Sequence, residues 1–284
     1  MDKVRGVSSG SRAVSWTGSI RLNAELKNAR TIVSDTYYDG AFKLSRPVFF
    51  DELSPTYFLI HVGGGYVGGD KYHQLFCLEE GATITLTTQS ATKIYKTMDE
   101  PAVQKTELVL KKESFLTYVQ DPVIAYESAR YIQDTTIHME SGAGLLMTDI
   151  FTPGWSESKG AFTYDWIRSK TNVFQDGKRL LMDHLFLNPS DEINSVLLLE
   201  GYSHLGSLLL IYHEVNGAFI TELDEMLSPL GSNVRIGFSR LPIRGLMLRV
   251  LANQTQHIEK VFSVCEDLFR RRILLAGPIF YRKY

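Results

Sequence analysis

The chain has 284 residues and carries 30 basic residues (Lys and Arg) against 32 acidic ones (Asp and Glu), a formal net charge of −2. This balance gives no general attraction to nucleic acid or to an anionic membrane, so we expect the protein to bind neither. Met1 to Gly6 contains no apolar stretch, and no secretory signal is expected. The most apolar region, Val196 to Tyr212, is interrupted by Glu200 and His204 and is too short and too polar for a membrane span.

The length fits one β-rich domain, and we expect residues 1–284 to form a single domain with a flexible N-terminus over residues 1–15. The two cysteines, Cys77 and Cys265, lie far apart in segments of different type. Two reduced packing residues explain them better than a disulfide or a shared metal site. We therefore expect a cytoplasmic protein.

From about Trp16 to Glu214 the sequence consists of short strand-like segments separated by turn residues. Apolar and polar residues alternate in these segments, which predicts half-buried strands. The predicted strands are Ser19–Leu26, Tyr57–Val62, Thr83–Thr87, Val103–Leu110, Ala129–Met139 and Leu145–Phe151. Asp176-Gly177, flanked by apolar pairs, predicts a β-hairpin. No internal repeat is evident.

Only two segments, both near the C-terminus, show helical periodicity. The first follows Asn216-Gly217, and its apolar residues share one face: Phe219, Leu223, Met226 and Leu227. In the second, apolar residues from Ile258 to Phe269 follow i, i+3, i+4 spacing. Asn253 with Gln256 predicts a capping box at its start. The pattern predicts a mainly β protein with two late helices.

The segment from Gly63 to Asp70 contains five glycines in seven residues and looks at first like a phosphate-binding loop. Gly64 and Gly69 have P-loop spacing, but Asp70 occupies the lysine position and would repel a phosphate. Gly63, Gly65 and Gly68 match G-x-G-x-x-G, although the dinucleotide fingerprint also requires a helix that opens at the third glycine. The residues after Asp70 are aromatic and β-prone instead. The alternative is a tight backbone crossing at which a Cβ is excluded.

Two further blocks give the chain a family resemblance. The Gly63–Asp70 segment is followed by Gly81-Ala82 and by Leu86-Thr87-Thr88-Gln89-Ser90-Ala91-Thr92-Lys93-Ile94-Tyr95-Lys96. This combination resembles the core signature of the urease accessory proteins called UreD or UreH. The similarity continues through Tyr118–Tyr126, Gly142–Asp149 and Pro153-Gly154-Trp155 to the basic end, Arg270–Tyr284, and covers roughly residues 17–284.

Two departures from the family pattern lie outside the specific blocks. Many members carry Gly-Arg and then Gly-Glu after the Asp149 segment, where this chain has Gly154-Trp155 and Lys159-Gly160. Roles given to that arginine and glutamate in the family therefore do not carry over. Asp121 also replaces the family's proline before Pro122.

No catalytic or tight metal-binding motif is present in the sequence. Gly201 to Gly206 misses the nucleophile elbow G-x-S-x-G by one residue, and Ser203 is predicted to be a turn residue. The sequence has no H-E-x-x-H or C-x-x-C. His138 and Glu140 are two residues apart on a predicted strand and would share a face, either as a weak metal pair or as an exposed strand surface.

The resemblance implies stacked β-sheets with a β-helix-like winding and two helices near the C-terminus. It also implies a maturation chaperone and not an enzyme, which bridges apo-urease to the accessory protein UreF and through it to the GTPase UreG. The family helps to place nickel in urease, so Ni²⁺ would pass through transiently and no cofactor would be tightly bound. Weak, sequential ligands suit such a passage, because nickel must leave as readily as it enters.

On this interpretation Asp70, His138, Glu140 and Asp149 line or border a nickel passage, although turn capping or solvation would also explain each of them. Arg270, Arg271 and Arg272 either bind a partner or compensate the helix dipole. A structural role is expected for Gly63, Gly64, Gly65, Gly68, Gly69, Thr87, Thr88 and Gln89. The alternatives are a nucleotide-dependent enzyme that uses the Gly63–Asp70 loop, and a structural β-protein without a metal role.

Overall fold

The computed structural model describes residues 15–52, 54–157, 160–189, 199–231 and 233–281. Most of the predicted flexible N-terminus (residues 1–14), Lys159, residues 196–198 of the apolar region and residues 282–284 of the basic end lie outside the described residues.

Two stacked β-sheets form the body of the protein. The first has seven strands in the order β14 (Lys178–Leu187), β13 (Trp166–Gln175), β11 (Arg130–Met139), β8 (Ala102–Leu110), β5 (Lys71–Leu78), β1 (Gly18–Lys27) and β2 (Arg30–Gly40). The main path of the second follows the order β16 (Val234–Arg240), β17 (Gly245–Ala252), β15 (His204–Ile211), β12 (Gly144–Phe151), β9 (Phe115–Val119), β6 (Thr83–Thr88), β4 (Thr56–His61) and β3 (Phe42–Leu44). The short strands β7 (Thr92–Ile94) and β10 (Val123–Ala125) pair with each other, and β10 also pairs with β12.

From β4 to β13 the chain passes repeatedly from one sheet to the other. Each return places the next strand parallel to its predecessor, as β5, β8, β11 and β13 show in the first sheet. The predicted β-helix-like winding is therefore confirmed. The hairpin at Asp176-Gly177 is also confirmed: it joins β13 to β14, and both turn residues have positive φ (48° and 79°).

Two helices cover the outer face of the second sheet, as the sequence predicts: α1 (Gly217–Leu227) and α2 (Thr255–Arg272). The apolar face of α1, which includes Phe219 and Leu223, packs with that of α2 on β12, β15 and β17 in a separate hydrophobic core. Each large apolar side chain fully buried there contributes roughly 1.5–3 kcal/mol to stability. The main core lies between the two sheets.

The two helices begin differently, and the sequence predicts a cap only for α2. Asn216 caps α1, because its side chain accepts a hydrogen bond from the Phe219 N–H over 3.1 Å. The capping box at Asn253 is wrong, since α2 starts one residue later with Gln254 as its N-cap and no side-chain cap bond. Asn253 Oδ1 instead accepts the Ser203 N–H over 3.1 Å, so a contact across the sheet takes the place of the local cap.

The glycine-rich loop joins β4 to β5 and crosses residues 93–100 of the neighbouring coil. A Cβ on Gly68 would lie 3.2 Å from Thr97 Cα and 3.3 Å from Glu100 O, and Gly69 has φ +80°. No helix follows the loop, because β5 begins at Lys71. The loop therefore lacks the structural context of a dinucleotide fingerprint, and its glycines fit a tight crossing.

We expect Gly68→Val and Gly69→Val each to lower the free energy of unfolding by roughly 1–3 kcal/mol, through backbone contact in the first and a strained φ in the second. Gly237→Val is the matched control, since Gly237 lies on an edge strand with open space around it. Denaturant unfolding measures all three. Variants at 68 and 69 that unfold like the control would show that the crossing does not require glycine.

Candidate functional site

A stripe of polar side chains runs across the inner face of the first sheet, inside the main core. Gln104 pairs with Gln133, which pairs with Ser169. A second row lies two residues further along these strands. It starts with the pair Gln74 and Thr106 and ends with the pair Thr171 and Asp183. The buried members, all 9% exposed or less, are Gln74, Gln104, Thr106, Gln133, Thr135, Ser169 and Thr171. We call these residues the polar stripe.

The second sheet faces one end of the polar stripe with a polar row of its own. Asp149 on β12 lies opposite Ser207 on β15, which lies opposite Arg249 on β17. Residues that lie opposite each other in a sheet project from the same face, so the register sets these three side chains side by side. The two sheets thus bring polar groups together across a core that is otherwise apolar.

Hydrogen bonds satisfy much of the polar stripe. Buried tyrosines donate to its amide oxygens: Tyr118 Oη to Gln74 Oε1 (2.8 Å), Tyr66 Oη to Gln104 Oε1 (2.6 Å) and Tyr131 Oη to Gln133 Oε1 (3.2 Å). A buried polar group without such a partner would cost about 1–3 kcal/mol. The stripe is therefore a fixed series of oxygen and amide groups.

At the glycine-loop end, the polar stripe borders a cavity of about 140 Å³. Its lining includes His61, Gln74, Gln104 and Thr88. The Nε2 atom of His61 is buried and has no hydrogen-bond partner. Burial lowers the pKa of His61, while nearby Asp70 opposes this shift. An imidazole with a free, neutral nitrogen is competent to bind a transition-metal ion.

A second cavity lies between Asp149, Asp183, Ser169, Ser207 and Arg249 and measures only about 20 Å³, close to the space one water needs. Arg249 Nη2 donates to Asp183 Oδ2 over 2.5 Å, and Arg249 Nη1 donates to Ser207 Oγ. Gln133 Nε2 donates to Asp149 Oδ2. We call this cavity the constriction.

The carboxyl group of Asp149 is strongly desolvated at the constriction. Burial raises its pKa from 3.8 to about 7, and the hydrogen bond from Gln133 and the positive charge of Arg249 only partly offset this. Asp149 therefore exchanges its proton near neutral pH, whereas a solvated carboxyl group is ionised there.

Of the four predicted passage residues, only Asp149 lies at the constriction. Asp70 closes the glycine loop: its Oδ2 accepts the Val67 N–H (2.8 Å) and the Tyr72 hydroxyl (3.2 Å). The exposed His138 ring stacks on Phe174, with ring centroids 5.1 Å apart. Glu140 lies beyond the end of β11 and accepts from Lys111 Nζ and the Lys112 N–H, both at 3.0 Å.

The Thr87–Gln89 block holds the coils of the second sheet together. Thr87 Oγ1 donates to the Val119 carbonyl (2.7 Å), and the Gln89 N–H donates to the Leu59 carbonyl (3.0 Å). Thr88 Oγ1 donates to Asp121 Oδ2 (2.8 Å) and accepts the Asp121 N–H (2.7 Å). The residue that replaces the family's proline thus gains two hydrogen bonds.

The three C-terminal arginines occupy different environments. Arg270 is 6% exposed, and it donates to the Gly277 carbonyl (2.7 Å) and to Asp51. Arg271 and Arg272 are exposed and lie 3.7 and 2.9 Å from the carboxylate of Glu222. Arg270 therefore holds the C-terminal segment against α2, and the other two are available at the surface.

Sequence reasoning missed Asp183, Ser207, Arg249 and the buried glutamines. Three strands of the first sheet share a pattern that could have revealed the polar stripe: Ala102–Leu108, Tyr131–Ile137 and Ile167–Val173. In each, an apolar residue is followed two positions later by Gln or Ser, then by a charged residue and Thr, and finally by a second apolar residue. This repeat contradicts the expectation that the chain has none.

Over the described ranges, no three His, Cys, Asp or Glu side chains come together as a metal-ion site. Both cysteines are free, and Cys265 is buried in α2. In the part of the chain that the structure describes, no helix is long and apolar enough to cross a membrane.

The raised pKa of Asp149 predicts a pH-dependent stability difference. Between about pH 4 and pH 7 the unfolded chain has released this proton and the folded chain has not, so the contribution of Asp149 to the free energy of unfolding falls as pH rises. Asp149→Asn removes this effect. We expect the stability of the variant relative to wild type to rise by about 1–4 kcal/mol from pH 4 to pH 8.

Denaturant unfolding at both pH values measures this difference, with Asp224→Asn on the exposed surface of α1 as the control. If the difference in the free energy of unfolding between Asp149→Asn and wild type were the same at pH 4 and pH 8, the desolvation of Asp149 would be contradicted.

Comparison with known proteins identifies the family. The family model described as "UreD urease accessory protein" matches residues 17–282. A protein from Bacillus sp. (strain TB-90), named urease accessory protein UreD, is 42% identical over 268 residues, which cover 94% of this chain and 99% of the relative. Proteins of the same name from Lachnoclostridium phytofermentans and Staphylococcus aureus (strain bovine RF122 / ET3-1) are 38% and 35% identical, each over 95% of this chain and 99% and 98% of their own lengths. The resemblance seen in the sequence is thus confirmed, and the chain belongs to the UreD urease accessory protein family.

Proposed function

We propose that this protein is a cytoplasmic maturation chaperone of urease that conducts Ni²⁺ between its two β-sheets and has no turnover of its own. The polar stripe, which leads from the cavity at His61 to the constriction at Asp149, carries this proposal. A stability requirement alone would favour apolar residues at these positions, because burying polar groups between sheets gains little stability. A route for a cation accounts for them.

The chemistry of the lining suits an ion in transit. Ni²⁺ accepts imidazole, carboxylate and carbonyl-type oxygen ligands, and its affinity rises with the number of ligands at one point. The lining offers one imidazole at His61, amide and hydroxyl oxygens along the stripe, and carboxylates at Asp149 and Asp183. Because these ligands are spread along a path, the ion can move by exchanging one ligand for the next, and no single point binds it tightly.

We further propose that the protein binds both apo-urease and a second accessory protein. The chain would bridge apo-urease to UreF and, through UreF, to the GTPase UreG, and no tightly bound cofactor would be needed. Arg271 and Arg272, at the exposed end of α2, could pair with acidic groups on UreF. Arg270 contributes indirectly, since it secures the C-terminal segment beside them.

In a urease-expressing strain that lacks only this protein, we expect urease to accumulate with little nickel and little activity. The wild-type gene should restore both. Asp149→Asn and Asp183→Asn should assemble with UreF and apo-urease but restore several-fold less nickel, because each removes one anionic ligand at the constriction. Metal analysis of purified urease and co-purification of the complex provide the two measurements.

Variants of two of the other predicted residues, His138 and Glu140, are the controls. His138→Gln and Glu140→Gln change groups on the surface and should restore nickel fully. Normal urease nickel in the deletion strain would overturn the maturation role and favour a purely structural protein. Normal nickel with both aspartate variants would place the route elsewhere.

A further inference from the structure

We propose that Arg249 acts as a counter-cation that is covalently part of the chain, an inference that rests on the proposed function. Its guanidinium closes the constriction between Asp149 and Asp183 and moves aside when Ni²⁺ arrives. Arg249 would therefore be a positioning residue, which keeps the aspartates from retaining the ion. The contacts, the size of the constriction and the space beside Arg249 support this role.

The guanidinium occupies the place that a cation would take. Arg249 Nη2 lies 2.5 Å from Asp183 Oδ2, Nη1 bonds to Ser207, and the positive charge acts on Asp149. The remaining space, about 20 Å³, holds one water and not a hydrated Ni²⁺. A dication next to the guanidinium would also be repelled by it. Nickel therefore passes the aspartates only after Arg249 leaves.

The structure provides room for this movement. Gly237 lies directly opposite Arg249 on the edge strand β16, and a Cβ at Gly237 would meet no atom within 4 Å. The side chains of Arg249 and Asp183 are 31% and 29% exposed, so the displaced guanidinium would reach solvent. Its return displaces Ni²⁺, because the tethered charge competes for the same carboxylates at a high effective concentration.

Equilibrium dialysis of Ni²⁺ against the purified full-length protein tests the role. Arg249→Gln should bind Ni²⁺ about tenfold more tightly than wild type and release it more slowly, whereas Arg249→Lys, which keeps the charge, should stay within about twofold of wild type. Arg235→Gln removes an exposed arginine of the neighbouring strand and should change nothing. Adding Asp149→Asn to Arg249→Gln should abolish the gain.

Gly237→Val tests the same movement without altering a charge, and it remains informative if Arg249→Gln folds poorly. The added side chain fills the space beside Arg249, so Ni²⁺ uptake in stopped-flow mixing should slow several-fold. Unchanged affinity in folded Arg249→Gln, or unchanged uptake in Gly237→Val, would overturn the counter-cation role. The proposed passage would survive that result if the aspartate variants still reduced the nickel content of urease. It would fail with it if those variants left the nickel content normal.

Discussion

The alignment of strands between successive coils is the constraint on which the rest of this structure depends. Because β5, β8, β11 and β13 pair in parallel with an unbroken register, residues at equivalent positions form rows across the first sheet. A one-residue shift would turn every side chain of a strand to the opposite face. The same register that buries Leu108 and Ile137 therefore also buries Gln104 and Gln133.

Burying this many polar groups requires a partner for each, and the second sheet supplies many of them. Tyr118 reaches across to Gln74, and Asp149 accepts from Gln133. Such networks are costly when incomplete and rigid when satisfied. The helices pack only on the outer face of the second sheet, so their core does not intrude between the sheets. The stripe is thus fixed by its own hydrogen bonds inside the apolar main core between the two sheets.

Local patterns in the sequence predicted the fold well, but the site only in part. Alternation placed the strands because each has one buried face, and helical spacing placed α1 and α2. The capping box failed because the partner of Asn253, Ser203, is distant in sequence. The sequence placed Glu140 on the same strand as His138, whereas β11 ends at Met139 and Glu140 lies just beyond it. Asp183 on β14 and Arg249 on β17 form an ion pair between the two sheets. The two residues are far apart in sequence, so no local pattern could predict this contact.

The central claim is that Ni²⁺ travels along the polar stripe, and paramagnetic broadening in NMR tests it most directly. With substoichiometric Ni²⁺, the side-chain amide signals of Gln104 and Gln133 should broaden, while that of the exposed Gln256 on α2 stays sharp. Broadening confined to surface groups such as His138, with both buried glutamines unaffected, would contradict the account.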